Sequence, residues 1–399
     1  MTKKVNNIFI EPWVEVEGWD AEVFSNIETP SYVISLQKLE NNLKILNQIE
    51  KKTGCRILMA LKSFSMFSVF PLTKRYLSGS EASSVNEAIL GYKEFGKETH
   101  VFSPSYTETN INDYIKFADH LVFNSFSQWN KFKKTIFNSK KRVSCGMRVN
   151  VEHSVVDTAI YDPSSSNSHF GVTKLNFEKD NLKGLEGLHF HNLCEQGASE
   201  LESTLKAFEE KFGEYLPQMK WVNFGGGHHI TRKDYDRDLL CKIIISFKKR
   251  YPHLNIYLEP GEAIALNAGV LVASVVDIFK NGVNIAVLDV SATTHMPDVL
   301  EMPYLPAILG AKPAIVDEEN TYRLVGPSCL TGDIIGEYSF KEPLGVGTKL
   351  IFLNMAIYTM VKNNTFNGVN LPTIATLDKN NKIRITKKFG YKDFKGRLS

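Results

Sequence analysis

Several classes of protein are excluded by what this sequence lacks. It contains no apolar run long enough to span a bilayer, which takes about 20 consecutive apolar residues. Cysteine is scarce. Cys55, Cys145, Cys194, Cys241 and Cys329 are scattered, with neither the close spacing of a metal site nor the density of a disulfide framework. An odd, sparse set of thiols fits a reducing cytoplasm. No sign of charge dominates: 47 Lys and Arg stand against 44 Asp and Glu, for a net charge of +3. Basic clusters such as Lys248-Lys249-Arg250 and Lys387-Lys388 are short. Solvated faces explain them better than a nucleic-acid footprint. Met1-Thr2-Lys3-Lys4 runs into Val5-Asn6-Asn7, which is not a signal peptide. Internal repeats and low-complexity linkers are also missing.

What the chain does have is alternation. At 399 residues it is too long for one ordinary core, so two domains, or a barrel with an appendage, are expected. Strand patterns fall at 31–35, 56–61, 100–103, 120–125, 143–151, 184–191, 221–224 and 256–261. Helical spacing falls between them, over 36–50, 64–76, 85–95, 128–136, 199–212 and 239–251. About eight strands alternating with helices predict a parallel sheet closed as a (β/α)8 TIM barrel over residues 30–264. Beyond about 265 the texture changes. Strands at 270–279, 286–290, 322–325, 349–353 and 383–386 have few helices between them. Residues 265–399, with 1–29, are expected to form a mostly antiparallel β domain.

The chemistry-bearing residues sit at strand ends. Five apolar residues, Ile57 to Leu61, run into Lys62. A lysine there is either a surface residue past a core strand or, if partly desolvated, an amine nucleophile. His189 and His191 are two apart and share a face. They are core histidines, a metal pair, or one ring stacked on a cofactor with the other packed beneath. Gly225-Gly226-Gly227 closes a late strand and lets backbone amides approach an anion, unless it is only a flexible turn. Glu259-Pro260-Gly261 closes the next strand and aims a carboxylate at the barrel mouth, as a base, a ligand or a partner for a ring nitrogen. In the β domain, Gly326 to Asp333 carries Cys329 in an exposed context, and Tyr358 follows a strand. A lysine to trap an aldehyde, a phosphate cradle and an acid for a pyridine nitrogen together suit pyridoxal 5'-phosphate.

These motifs resemble the fold-type III pyridoxal-phosphate decarboxylases, the group of ornithine, arginine and diaminopimelate decarboxylases. The likeness runs from about Pro30 to Gly368. It is carried by Ala60-Leu61-Lys62-Ser63-Phe64, His189-Phe190-His191-Asn192-Leu193-Cys194-Glu195, Gly225-Gly226-Gly227-His228-His229, Glu259-Pro260-Gly261-Glu262-Ala263 and Gly326-Pro327-Ser328-Cys329-Leu330-Thr331-Gly332-Asp333. The resemblance implies that Lys62 is the Schiff-base lysine, that His191 stacks on the ring and that Glu81 lies near the cofactor. It implies that Glu259 pairs with the ring nitrogen and that Gly225, Gly226, Gly227, Gly261 and Tyr358 hold the phosphate. Cys329 and Asp333 would complete the site of the other subunit in a homodimer with shared active sites. Glu262 and Cys194 stand where the ornithine pattern has arginine and serine. This points to the subgroup acting on carboxylated polyamines, small-molecule amino acids with a long cationic tail. Acids should line the far end of such a substrate: Asp333, and by placement Asp298 and Glu301. Other expectations are a decarboxylase of another basic amino acid, a racemase on the same fold, a non-catalytic cofactor-binding regulator, and a metal-dependent barrel hydrolase using His189 and His191. No metal, membrane or nucleic acid is expected as a partner.

Overall fold

The computed structural model describes residues 13–156, 161–165, 167–315 and 318–399. Residues 1–12, read from the sequence as part of a lead-in to the β domain, lie outside the described residues. The chain divides into two compact units. One is Glu40–Ile264, and the other joins the residues up to Leu39 to Ala265–Ser399.

The strands of the first half are β1 (Ser31–Ser35), β2 (Arg56–Ala60), β3 (Gly79–Ala82), β4 (Glu98–Phe102), β5 (His120–Phe123), β6 (Ser144–Arg148), β7 (Leu185–His189), β8 (Trp221–Asn223) and β9 (Asn255–Leu258). Strands β2 to β9 are parallel and close into a barrel, with β2 returning to β9 through Arg56↔Tyr257 and Ile57↔Leu258. Helices between them bury one stripe each. In Ala198–Phe212 the stripe is Leu201, Leu205, Phe208 and Phe212, at the three- and four-residue spacing of one helical face.

The strand reading needs one correction. The sequence predicts 31–35 as a barrel strand and no strand at 79–82. Instead β1 pairs antiparallel with residues 269–272 and parallel with 373–377 of the other unit, and β3 takes a barrel place between β2 and β4. A strand buried on both faces reads alike in any sheet. Gly-Ser-Glu-Ala, though wholly buried, carries almost no apolar signal.

One indole fills the barrel from side to side. Trp221 occupies the space left by Gly146 on β6 and Gly187 on β7, where a Cβ would come within 2.3 and 2.1 Å of its ring. Its Nε1 donates to Ser144 Oγ at 2.9 Å. His120 on β5 and Tyr257 on β9 close around it, with ring centroids 5.1 and 6.3 Å away. At the amino ends of β2 and β4, Arg56 pairs with Glu98. The polar floor is therefore neutralised, and the carboxyl ends of the strands are left for chemistry.

The other unit adds β10 (Gly269–Asn281), β11 (Val283–Leu288), β12 (Ala311–Pro313), β13 (Thr321–Val325), β14 (Ile334–Phe340), β15 (Lys349–Phe352), β16 (Thr373–Leu377) and β17 (Ile383–Lys387). Its sheet runs β12-β14-β13-β11-β10-β1-β16-β17, with β15 also on β10. Only β1–β16 and β11–β13 pair in parallel. Strand β10 is the spine. Its buried first half meets β1 and β15, and its exposed second half meets β11. Tyr32, Leu271, Leu288, Leu324, Tyr338 and Phe352 form the core. No helix among the described residues is long and apolar enough to cross a membrane.

Candidate active site

Lys62 lies two residues beyond β2, in a turn, with its side chain exposed. The sequence reading left a surface lysine and a partly desolvated one both open, and in the single chain the lysine is exposed. The lysine charge acts on Glu81, Glu259, His189, His191 and Cys194. The ends of β3, β7 and β9 therefore converge on one amine.

Glu259 follows β9 directly and is buried. Its Oε1 accepts a hydrogen bond from Asn223 Nδ2 at 2.5 Å. His189 Nε2 stands 3.2 Å from Oε2, although neither nitrogen of His189 makes an aligned hydrogen bond. Burial opposes ionisation of Glu259, but His189, His100 and Lys62 outweigh it and hold the carboxyl below the ordinary range. Glu81 on β3 goes the other way. Burial and the neighbouring Glu259 push it up to about 8. Near neutral pH, then, Glu81 keeps its proton and Glu259 does not. Burial lowers the pKa of His189, against the pull of Glu259.

His191 accepts the Gly226 N–H at its Nδ1, 3.2 Å away. Burial and Lys62 lower its pKa well below the usual value. The ring is neutral, with the proton assigned to Nε2. Its strand end is pinned by Arg148 Nη2, which donates to His191 O at 3.2 Å. The Arg148 guanidinium lies between Phe102 and Phe170, 4.4 Å from each ring.

The glycine loop differs from the expected open cradle. Two of its three amides are already committed, Gly225 N–H to Asn223 Oδ1 at 2.9 Å and Gly226 N–H to His191. The missing side chains also serve packing. A Cβ on Gly227, at φ +79, would sit 1.9 Å from Leu193 O, and one on Gly226 would sit 2.3 Å from Glu259 O. The loop is thus nested between the ends of β7 and β9. Gly261 likewise leaves room for Ser63 Oγ. Glu262 contacts the buried His229. Burial alone would lower the pKa of His229, but Glu262 raises it. Burial, Glu262 and Glu195 push the Cys194 thiol up to about 12.

Within the sheet unit the candidates are arranged differently. Asp333 is buried. It accepts from Ser291 Oγ at 2.8 Å, from Thr293 N–H at 3.2 Å and from Ser328 N–H at 3.3 Å. These bonds tie the 326–333 segment to residues 291–293. Cys329 is exposed, its N–H held by Asn367 Oδ1 at 2.8 Å. Asp298 and Glu301 both pair with Lys362, so these acids already hold an ammonium. Tyr358, half-buried at φ 49, ends a sharp loop that Asn354 begins at φ 54. The sequence reading assigned no role to Asn223, Arg148 or His229. Asn223 left a trace there, as a polar residue ending a buried strand just before the glycines.

Residues 31–356 match the family described as pyridoxal-dependent decarboxylase, C-terminal sheet domain. The chain is 41% identical over 381 residues to carboxynorspermidine/carboxyspermidine decarboxylase of Campylobacter jejuni, covering 93% of this chain and 98% of that one. It is 42% identical to carboxyaminopropylagmatine decarboxylase of Synechocystis, covering 94% and 96%. Among solved structures, Campylobacter jejuni carboxynorspermidine decarboxylase in complex with norspermidine superposes with a TM-score of 0.86, covering 93% of this chain and 100% of that one.

Proposed function

The chain belongs to the pyridoxal-dependent decarboxylases, and from that membership we propose that it converts carboxynorspermidine or carboxyspermidine to norspermidine or spermidine. The observation that carries the substrate is the full-length likeness to the Campylobacter jejuni enzyme. The same chemistry places the reaction in polyamine biosynthesis.

Three features of the barrel fit pyridoxal phosphate. A buried, ionised Glu259 suits a protonated ring nitrogen. A neutral His191 offers a flat ring to stack on. The loop of Gly225, Gly226 and Gly227 has no room for side chains. Lys62 would hold the aldehyde, and Gly261 and Tyr358 would join the loop at the phosphate, with the protonated Glu81 nearby. When bound, the cofactor supplies an electron sink for the pair left on the α-carbon as carbon dioxide departs. Glu259 would supply the negative charge that keeps the ring nitrogen protonated. Cys329 or Lys62 delivers one proton to the α-carbon, replacing the lost carboxylate.

Cys329 of one chain would complete the barrel site of its partner in a homodimer, with Asp333 holding the segment in shape. For Asp298 or Glu301 to take a distal amine of the substrate, that amine would replace Lys362. A reducing cytoplasm is supported by five free cysteines.

A second substrate, carboxyaminopropylagmatine, is favoured by the Synechocystis relative. A panel of carbon dioxide release rates separates the readings. We expect carboxynorspermidine or carboxyspermidine to be fastest. Faster release from carboxyaminopropylagmatine would select the second reading, and faster release from meso-diaminopimelate or ornithine would overturn both.

A further inference from the structure

We propose that Asn223 is a positioning residue that registers the two ends of the cofactor site through one carboxamide. The inference rests on the reading of that site as a pyridoxal phosphate site. Asn223 is the last residue of β8, fully buried, and paired in register with His189 on β7 and Tyr257 on β9. Its Oδ1 accepts the Gly225 N–H at 2.9 Å, and its Nδ2 donates to Glu259 Oε1 at 2.5 Å. The partners fix the orientation of the amide. A backbone N–H only donates and a carboxylate only accepts, so the oxygen faces the loop and the nitrogen faces Glu259. The phosphate loop and the ring-nitrogen acid therefore move together. Other groups acting on Glu259 are His189 on β7, His100 on β4, Glu81 on β3, Lys62 after β2 and Arg148 on β6.

Asn223→Asp separates the two bonds. It has nearly the same shape and still accepts from Gly225, but it sets a second carboxylate against Glu259. Apo protein titrated with pyridoxal phosphate should keep its affinity within about threefold, while kcat falls at least about tenfold with KM little changed. The acid limb of the pH profile, and the pH titration of the visible absorption of the loaded protein, should both move upward by about one unit. Adding Asn223→Asp to Glu259→Gln should cost little more than Glu259→Gln alone. Asn223→Ser, whose shorter side chain gives up both bonds without adding charge, should lower kcat without moving the limb.

A wild-type kcat and pH profile in Asn223→Asp would overturn this inference alone. So would additive losses with Glu259→Gln. Failure of Asn223→Asp to fold, with wild-type kcat in Asn223→Ser, would do the same. Wild-type protein that takes up no pyridoxal phosphate would overturn the functional reading and this inference with it.

Discussion

The barrel and the sheet treat their acids in opposite ways. In the barrel, Glu81 and Glu259 are both buried and are driven in opposite directions, one up and one down, and both nitrogens of His189 lack aligned partners. In the sheet, Asp333 accepts three hydrogen bonds and Asp298 and Glu301 share Lys362. The three sheet acids are each held by hydrogen-bond donors or an ammonium. The barrel acids are set instead by burial and by each other's charge. An acid in a motif can thus serve either purpose, and burial alone does not say which. What differs is how many donors each carboxylate already has.

The comparison breaks most readily at Lys62. Lys62→Ala should abolish the visible absorption of the loaded protein and lower carbon dioxide release by about a thousandfold or more. Cys329→Ala should impair turnover but keep the absorption. Mixing the two inactive chains should restore roughly a quarter of wild-type activity if subunits share sites. Failure to complement would mean that each barrel works without a partner's segment. Next in size, Glu259→Gln should cost about a hundredfold in single-turnover rate, because the charge that would partner the ring nitrogen is lost. Asp333→Asn should act on the sheet instead. An amide cannot accept at every position the carboxylate fills, so thermal or urea melts should show a loss of about 1–3 kcal/mol. If Asp333 instead contacts substrate, kcat/KM would fall with no change in melting.

The smallest effect sharpens the contrast between the two barrel acids. Glu81 has its folded pKa raised to about 8 from an ordinary 4.5. Between those values the folded apo protein binds a proton that the unfolded chain releases. Its contribution to stability is full below about pH 4.5 and is lost as pH rises through 8. Urea melts at pH 5, 6.5 and 8.5 should show this decline in wild type and a flatter response in Glu81→Gln.

The sequence made the barrel legible because strand–helix alternation is periodic and long. Lys62, His191 and Glu259 were legible because each ends an apolar strand. The strand carrying Glu81 was not, since Gly79 to Ala82 fills a barrel interior with small and polar side chains; Glu81 itself was marked only by the family resemblance. Asn223 was invisible as a bridge because its two partners, Gly225 and Glu259, are brought together only by the pairing of β8 with β9. The hold on Asp333 was not legible, because Ser291 and Thr293 lie some forty positions earlier in the chain. Spacing reports what a residue can do. Long-range pairing decides what is left for it to do.

The indole of Trp221 has a consequence for traffic. It occupies the space left by Gly146 and Gly187, with a paired arginine and glutamate at the amino ends of the strands. A barrel packed in this way is a core rather than a pore, so its chemistry belongs at the rim formed by the carboxyl ends of its strands. Under the proposed chemistry, a bulky polycation and a small gas must use one doorway. Carbon dioxide then leaves past the amine that remains, so escape of the gas and retention of the product are set at the same rim.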